Sequence, residues 1–474
     1  MNNELKPYER YKQTGYDWLV KVPEHWKMQT IRSITRLSNE RNGIRNDLEL
    51  LSVYREYGVI KKSSRDDNHN VESQDLSNYK FVDKGYLVLN KMKMWQGSLG
   101  VSKYQGIVSP AYIVCKLANG LNFNYVHYLL RSPAFKTIYN RISYGVRVGQ
   151  WDMRYDDFKN IKLYLPSITE QDQIVKYLDN KLAKINKFVK AKKKMIAVLK
   201  EQKQAIINQA VTKGLNPNMK MKPSGIEWLG DIPEHWKAFK LSQMANITLS
   251  GLDKKSYDNQ KEIYLCNYVD VYKNDYITES IDFMRATAID DEILKLSLRS
   301  GDIIITKDSE SWDDIAVPAY VPNDLSNVAC AYHLALIRKK SNMINSEYLY
   351  VTFLSQYVSV QYKVKAKGVT RYGLSYQSIK DVVIFVPPLS EQEEITRVIK
   401  TSMCNVDKAI LKAQQEVELI TEYRTRLISD VVTGKVDVRN IVIDEVIHDD
   451  SGEDVLEDEV ADNEDSLDGG EGDE

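Results

Sequence analysis

GYDWLVKVPEHWKMQTI, from Gly15 to Ile31, recurs as GIEWLGDIPEHWKAFKL, from Gly225 to Leu241. The two share Pro-Glu-His-Trp, preceded by a tryptophan eight positions earlier, at an offset of 210 residues. Further on, LPSITEQDQIVKYLDNKL from Leu165 matches VPPLSEQEEITRVIKTSM from Val386, and Ala-Val-Thr-Lys-Gly at 210–214 matches Val-Val-Thr-Gly-Lys at 431–435, now at an offset of 221. The same motifs in the same order mean two divergent modules in tandem. The second has gained the difference, about a dozen residues, in its globular part.

Each module changes periodicity part-way. In the first, YLVLN at Tyr86, NKMKMWQGSLGV at Asn90 and IVSPAYIVCKL at Ile107 are apolar, β-branched runs broken by Gly, Ser and Pro, which predicts strands and tight turns. DIIIT at Asp302, KDSESWDD at Lys307 and VACAYHLALIRKK at Val328 repeat that grammar. FNYVHYLLRS at Phe123 and NSEYLYVTFLSQ at Asn345 place apolar residues three and four apart and predict short helices. Each module therefore begins with an α+β domain.

The second part is one long helix. Ile174, Leu178, Ile185, Val189, Ile196, Leu199, Ile206 and Ala210 form an apolar stripe at coiled-coil spacing, with no Pro or Gly from Ser167 to Lys213. Adding 221 gives Ile395, Ile399, Val406, Ile410, Val417, Ile420, Leu427 and Val431, a stripe in the same register. At 1.5 Å per residue each helix would span roughly 65 Å, and neither can bury its stripe alone. Antiparallel pairing of the two would make a spacer with a globular domain at each end. Thr169 and Ser390, each followed by Glu-Gln, read as caps of a strand-to-helix junction.

The chain has 474 residues with 65 Lys plus Arg against 66 Asp plus Glu, a balance that hides an asymmetry. Residues 444–474 hold 16 carboxylates and no Lys or Arg, so residues 1–443 carry 65 minus 50, or +15. A basic body precedes an acidic extension, read as a disordered tail. A sharper expectation for that tail is competition with nonspecific duplex for the basic surface. No apolar run approaches the ~20 residues of a membrane span, and Cys115, Cys266, Cys330 and Cys404 are widely separated. A cytoplasmic chain with no membrane partner is expected. There is no G-x-x-x-x-G-K-[ST] loop, Gly-rich dinucleotide fingerprint, metal-ligand cluster or nucleophile elbow, which points away from an enzyme.

The paired Pro23-Glu24-His25-Trp26 and Pro233-Glu234-His235-Trp236, the paired P-x-x-[ST]-E-Q segments and the endings VTKG and VTGKVDVR resemble the specificity subunits of type I restriction-modification systems, over roughly residues 15–439. The resemblance implies target-recognition domains at 1–166 and 215–388 and helical regions at 167–214 and 389–439; the acidic tail at 440–474 departs from the family pattern. The implied fold is a pseudo-two-fold tandem repeat, two α+β target-recognition domains separated by two long antiparallel coiled-coil helices. The implied function is sequence-specific binding of double-stranded DNA, each domain reading half of a bipartite asymmetric site while the helices dock two methyltransferase subunits. Restriction-translocase subunits are a further partner. The chain itself would be non-catalytic, with no cofactor or metal of its own. S-adenosylmethionine, ATP and Mg would sit on partners, and the assembled complex would be an adenine-N6 methyltransferase and ATP-dependent endonuclease. In keeping with this, Val386-Pro387-Pro388-Leu389 is not the Asn-Pro-Pro-aromatic motif of the modification subunits. A coiled-coil scaffold whose globular ends bind proteins is the alternative.

Four loops are candidates for DNA contact. NKMKMWQG offers Lys91, Lys93, Trp95 and Gln96, residue types that reach base edges or give a flat surface, unless Trp95 fills the core. KDSESWDD keeps Lys307 and Trp312 but adds acids that repel phosphate, which suits cytosine N4 donors or a position off the DNA. RISYGVRVGQWDMRYDDF at Arg141 supplies Arg147, Gln150, Arg154 and Tyr155. KVKAKGVTRYGLSYQSI at Lys363 supplies Lys365, Lys367, Thr370, Arg371, Tyr372 and Gln377. Both mix basic, aromatic and amide side chains, as phosphate and base contact requires. KFVKAKKKM at Lys187 reads as a solvated helix face, and His25 and His235, each beside a tryptophan, as packing residues rather than metal ligands.

Overall fold

In a computed structural model that describes residues 5–45, 47–55, 57–64, 75–145 and 151–443, the strand after each Pro-Glu-His-Trp pairs with the strand that feeds the long helix. Lys27–Thr30 runs antiparallel to Lys162–Leu165 with Lys27 opposite Leu165, and Lys237–Lys240 runs antiparallel to Val383–Val386 with Lys237 opposite Val386. Motifs from the two ends of each module are thereby brought side by side.

The chain forms two compact units, Met1–Lys193 with Gln414–Glu474, and Lys194–Ala413. Each is built on a four-stranded antiparallel sheet of the same order. In the first unit the order is Thr35–Ser38, Ile113–Leu117, Tyr86–Leu89, Leu99–Val101. In the second it is Ala245–Leu249, Leu334–Lys339, Ile303–Thr306, Pro318–Tyr320. The sequence repeat is therefore a repeat of topology. The expected short helices are present as Phe123–Arg131 and Ser346–Phe353, each started by an asparagine. Asn122 accepts from the Tyr125 N–H, and Asn345 from those of Glu347 and Tyr348, which satisfies donors the first turn leaves open.

The units differ in their second layer. The first has two short ladders, Leu51–Tyr54 with Gly58–Lys61 and Lys80–Val82 with Gly106–Val108. The second has a mixed three-stranded sheet, Met284–Ala288, Lys261–Cys266, Val328–Cys330, over its own apolar core that includes Leu265, Val271 and Ala329. Much of the second copy's extra length lies here, in residues 250–302 where the first copy has 39–85. VACAYHLALIRKK, read as one run, is two strands, because His333 takes φ 70°, a left-handed conformation that no strand accommodates.

Both long helices form, Ile168–Lys213 and Leu389–Val432. The first unit contains the beginning of one and the end of the other, running antiparallel: Gln173 donates to the Val438 carbonyl, and Lys192 pairs with Glu416 at 2.5 Å. In the second unit Lys203 pairs with Asp407 at 2.7 Å. The stripe is buried where a sheet domain covers it, at Ile174, Leu178, Ile185, Val189, Ile395, Ile399 and Leu427. At Leu199, Val406, Ile410, Val417 and Ile420 it is half-buried. Toward its end the first helix buries Ile207 rather than the expected Ile206, the drift of a 3.6-residue turn against a seven-residue repeat.

The caps also differ from expectation. Thr169 and Ser390 lie inside the first helical turn. Ser167 is the cap of the first helix, its Oγ accepting from the Glu170 N–H at 3.3 Å, and Pro388 precedes the second, its carbonyl accepting from Glu391 and Gln392. Both helices end at glycines with positive φ, Gly214 and Gly434, the left-handed residue that closes a helix. No helix among the described residues is long and apolar enough to cross a membrane.

Candidate nucleic-acid interface

The repeated motifs form a latch, and this explains their residue types better than capping does. Glu170, with a side chain only 5% exposed, accepts from the Trp26 indole at 3.0 Å and the Tyr8 hydroxyl at 2.7 Å, while His25 Nε2 lies 2.8 Å from its other oxygen. Glu391 repeats this with Trp236 at 3.1 Å and His235 at 2.7 Å. Burial, then the bond to Glu170, holds the Tyr8 phenol far above its usual range. The next residue ties each helix start to the short helix of its domain. Gln171 accepts from the Asn122 N–H and donates to the Pro166 carbonyl, as Gln392 does with Asn345 and Pro387. The two histidines are thus structural, and no group of three or more His, Cys, Asp or Glu among the described residues could hold a metal.

In the first unit the loop after Tyr86–Leu89 makes a short turn at Met94–Gln96 closed by Gly97 at φ 93°. It meets the loop before the last strand, although the two are sixty residues apart. Lys91 Nζ pairs with Asp152 at 3.0 Å, the Met153 N–H donates to the Lys91 carbonyl, and Trp95 meets Trp151 edge to face at 5.2 Å between centroids. Lys91 is therefore neutralised in place. Trp95 is half-buried and Gln96 likewise, whereas Lys93 is exposed. Arg154 is exposed with its guanidinium over the Tyr144 ring at 4.6 Å. Tyr155 turns inward and packs on the core, where burial raises its phenol. Arg147 and Gln150 lie outside the described residues.

The second unit makes the same junction as a small sheet. Asp308–Ser309 pairs with Tyr372–Gly373, which pairs with Lys367–Gly368. Lys307 is not presented to solvent: its side chain is 17% exposed, pairs with Asp308 at 2.9 Å and lies over the Tyr332 ring. Asp308 also meets His333 Nδ1 at 2.6 Å. Burial raises the Asp308 carboxyl, but the bonds from His333 and Lys307 outweigh it and leave the group below its ordinary range. Lys367, Thr370 and Arg371 are exposed on the hairpin, and Tyr372 is half-buried. Lys365 reaches the Asp381 carbonyl at 3.5 Å and Gln377 bonds the Asp381 carboxylate, so both are partly committed within the fold.

Tyr268 and Tyr272, on the short helix Tyr268–Lys273, escaped the sequence reading. Their rings stack at 5.7 Å and 14°, and the Tyr272 hydroxyl donates to Asp314 at 2.8 Å. That bond, with burial, pushes the Tyr272 phenol up to about 12. The available signal was the pair of tyrosines four apart in YVDVY, inside the segment where the copies differ most. Trp312, in the same stretch as Asp314, is 53% exposed.

Loops that present cations, amides and aromatic rings at matching places in two like domains suit the comparisons with known proteins. The family profile described as "Type I restriction modification DNA specificity domain" matches residues 23–197 and 233–419, each match starting at the proline of Pro-Glu-His-Trp. The type I restriction enzyme MjaVIII specificity subunit of Methanocaldococcus jannaschii is 23% identical over 438 residues, 89% of this chain and 95% of that protein. The putative MjaX specificity subunit of the same organism is 22% identical over 460 residues, 91% and 97% of the two chains. A chain from a solved structure on complex assembly and conformational transition of the type I R-M system superposes with a TM-score of 0.63 at 12% identity, covering 87% of this chain and 98% of that one, which shows a shared fold. This chain belongs to the type I restriction-modification DNA specificity family, as a specificity subunit that carries the domain twice.

Proposed function

We propose that each unit reads one half of a bipartite, asymmetric site on double-stranded DNA through the pair of loops that meet beside its sheet. The observation that carries this is the convergence itself: in both units, loops distant in sequence join beside the same strand, with Lys93 and Arg154 exposed in one and Lys367, Thr370 and Arg371 in the other. Unlike loops on like scaffolds suit unlike half-sites, and the paired helices would set the spacing between them. The helices would also dock two methyltransferase subunits. The chain itself is the address. Adenine-N6 methylation, with S-adenosylmethionine, and ATP- and Mg-dependent cleavage would belong to partner subunits in the cytoplasm.

Mapping methylated adenines in cellular DNA with and without this chain tests the reading. A bipartite motif that disappears with the chain is expected; an unchanged methylation pattern overturns it. The protein-binding scaffold is separated by salt, because phosphate contacts make log affinity fall with log salt at about −0.9 per contact.

A further inference from the structure

Glu310 and Arg371 flank the last paired residues of the small sheet of the second unit. Asp308 pairs with Gly373 and Ser309 with Tyr372 in antiparallel register, so Glu310, which follows Ser309, and Arg371, which precedes Tyr372, leave the ladder at the same end. Both are exposed. The other three carboxylates of 308–314 are engaged: Asp308 with Lys307 and His333, Asp313 with Ser311, Asp314 with Tyr272. Glu310 alone among them has no hydrogen bond or ion pair within the described residues, and Arg371 closes no salt bridge onto it. The charges of both act on the Tyr268 phenol, which bonds Ser309, and this places them on one patch.

An exposed carboxylate on a DNA-facing loop is repelled by phosphate, and its favourable partner is an exocyclic amine on a base edge. A guanidinium fork fits two acceptors on one base, as guanine O6 and N7 supply. The C·G pair alone sets such a fork site beside an amine donor in the major groove; an A·T pair offers the amine but splits its acceptors between two bases. Resting on the DNA-reading role above, we propose that Glu310 and Arg371 together read one C·G pair in the half-site of the second unit, Glu310 accepting from cytosine N4 and Arg371 donating to guanine O6 and N7.

The test uses the full chain and a pool of randomised duplexes, with selection by the wild type, Arg371→Lys and Glu310→Ala. Wild type is expected to select a bipartite motif with a C·G pair in one half. Arg371→Lys keeps the charge but loses the fork, so preference for that pair falls about tenfold or more while the other positions and the salt slope are kept. Glu310→Ala relaxes the same pair. A wild-type motif that both variants retain unchanged overturns the proposal and leaves the DNA-reading role standing. Failure of the wild type to select any motif overturns both.

Discussion

Trp26 donates its indole N–H to Glu170 at 3.0 Å, joining the start of the first domain to the start of the first long helix. Trp236 does the same to Glu391 at 3.1 Å. Both rings are almost completely buried, so the carboxylates are acceptors that water cannot replace.

Glu170→Ala should strip the buried Trp26 and Tyr8 donors of their acceptor, at about 1–3 kcal/mol for each group left unsatisfied. Among the described residues Glu391 has no tyrosine partner, and its side chain is 20% exposed against 5% for Glu170, so Glu391→Ala should cost roughly half as much. Urea unfolding of the full chain measures both. Losses of the same size would show that Tyr8 adds nothing.

Gly434 and Gly214 separate strain from crowding. Both have positive φ, 77° and 71°, where any L-residue is strained by about 1–2 kcal/mol. A Cβ on Gly434 would stand 2.3 Å from Pro23 Cδ, whereas one on Gly214 meets nothing closer than Glu391 Oε1 at 3.3 Å. Gly434→Ala should therefore lower the thermal midpoint well beyond Gly214→Ala, and equal shifts would rule out the clash with Pro23 as the cause.

The Asp308 clasp predicts acid sensitivity in the second unit's loop. Its folded pKa lies below the unfolded one, so its contribution is complete above the unfolded value of about 3.9 and is lost as pH falls through the lower folded value. Protection of residues 306–314 against hydrogen exchange, relative to the intrinsic rate at each pH, should fall in that window in the wild type. In Asp308→Asn the protection should already be low at neutral pH, without an acid step. Superposable profiles would count against the clasp.

Lys91 and Arg154 should respond differently to removal. Arg154 is exposed, and its change to Ala is expected to lower the salt slope of DNA binding by about 0.9 for each phosphate that its guanidinium neutralises. Lys91 already has Asp152 at 3.0 Å, so Lys91→Ala should change the slope less. Fluorescence anisotropy over a salt series decides; equal effects would mean the pair opens on DNA.

What could be read from the chain was what is written locally. The tandem repeat, the helix stripe and the short helices Phe123–Arg131 and Ser346–Phe353 rest on motifs or periodicities within one segment. The meeting of Lys91 with Asp152, or of Ser309 with Tyr372, joins segments with no shared period, so the loops looked separate. Lys307 looked like a DNA contact because charge is visible in sequence and its neutralisation by Asp308 is not. The role of Glu170 was hidden for a related reason: an early helical carboxylate satisfies capping rules equally well, and only the fold brings Trp26 and Tyr8 to it.

The Asp437 N–H donates to the Lys6 carbonyl at 2.8 Å, and with Gly434 beside Pro23 this makes the first unit a closed loop of chain. The corresponding stretch of the second unit, from Gly214 to Met221, is continuous backbone. In the first unit a hydrogen bond thus closes the place where the second unit is joined covalently. Joining the chain across Asp437 and Lys6 and reopening it near Asn216 would exchange the order of the two units in the polypeptide while keeping the sheet pairings of each, at the loss of the Gln173 bonds to the Val438 and Ile441 carbonyls. The order of the two units along the polypeptide is then a matter of where the backbone is opened, not of how each unit is built.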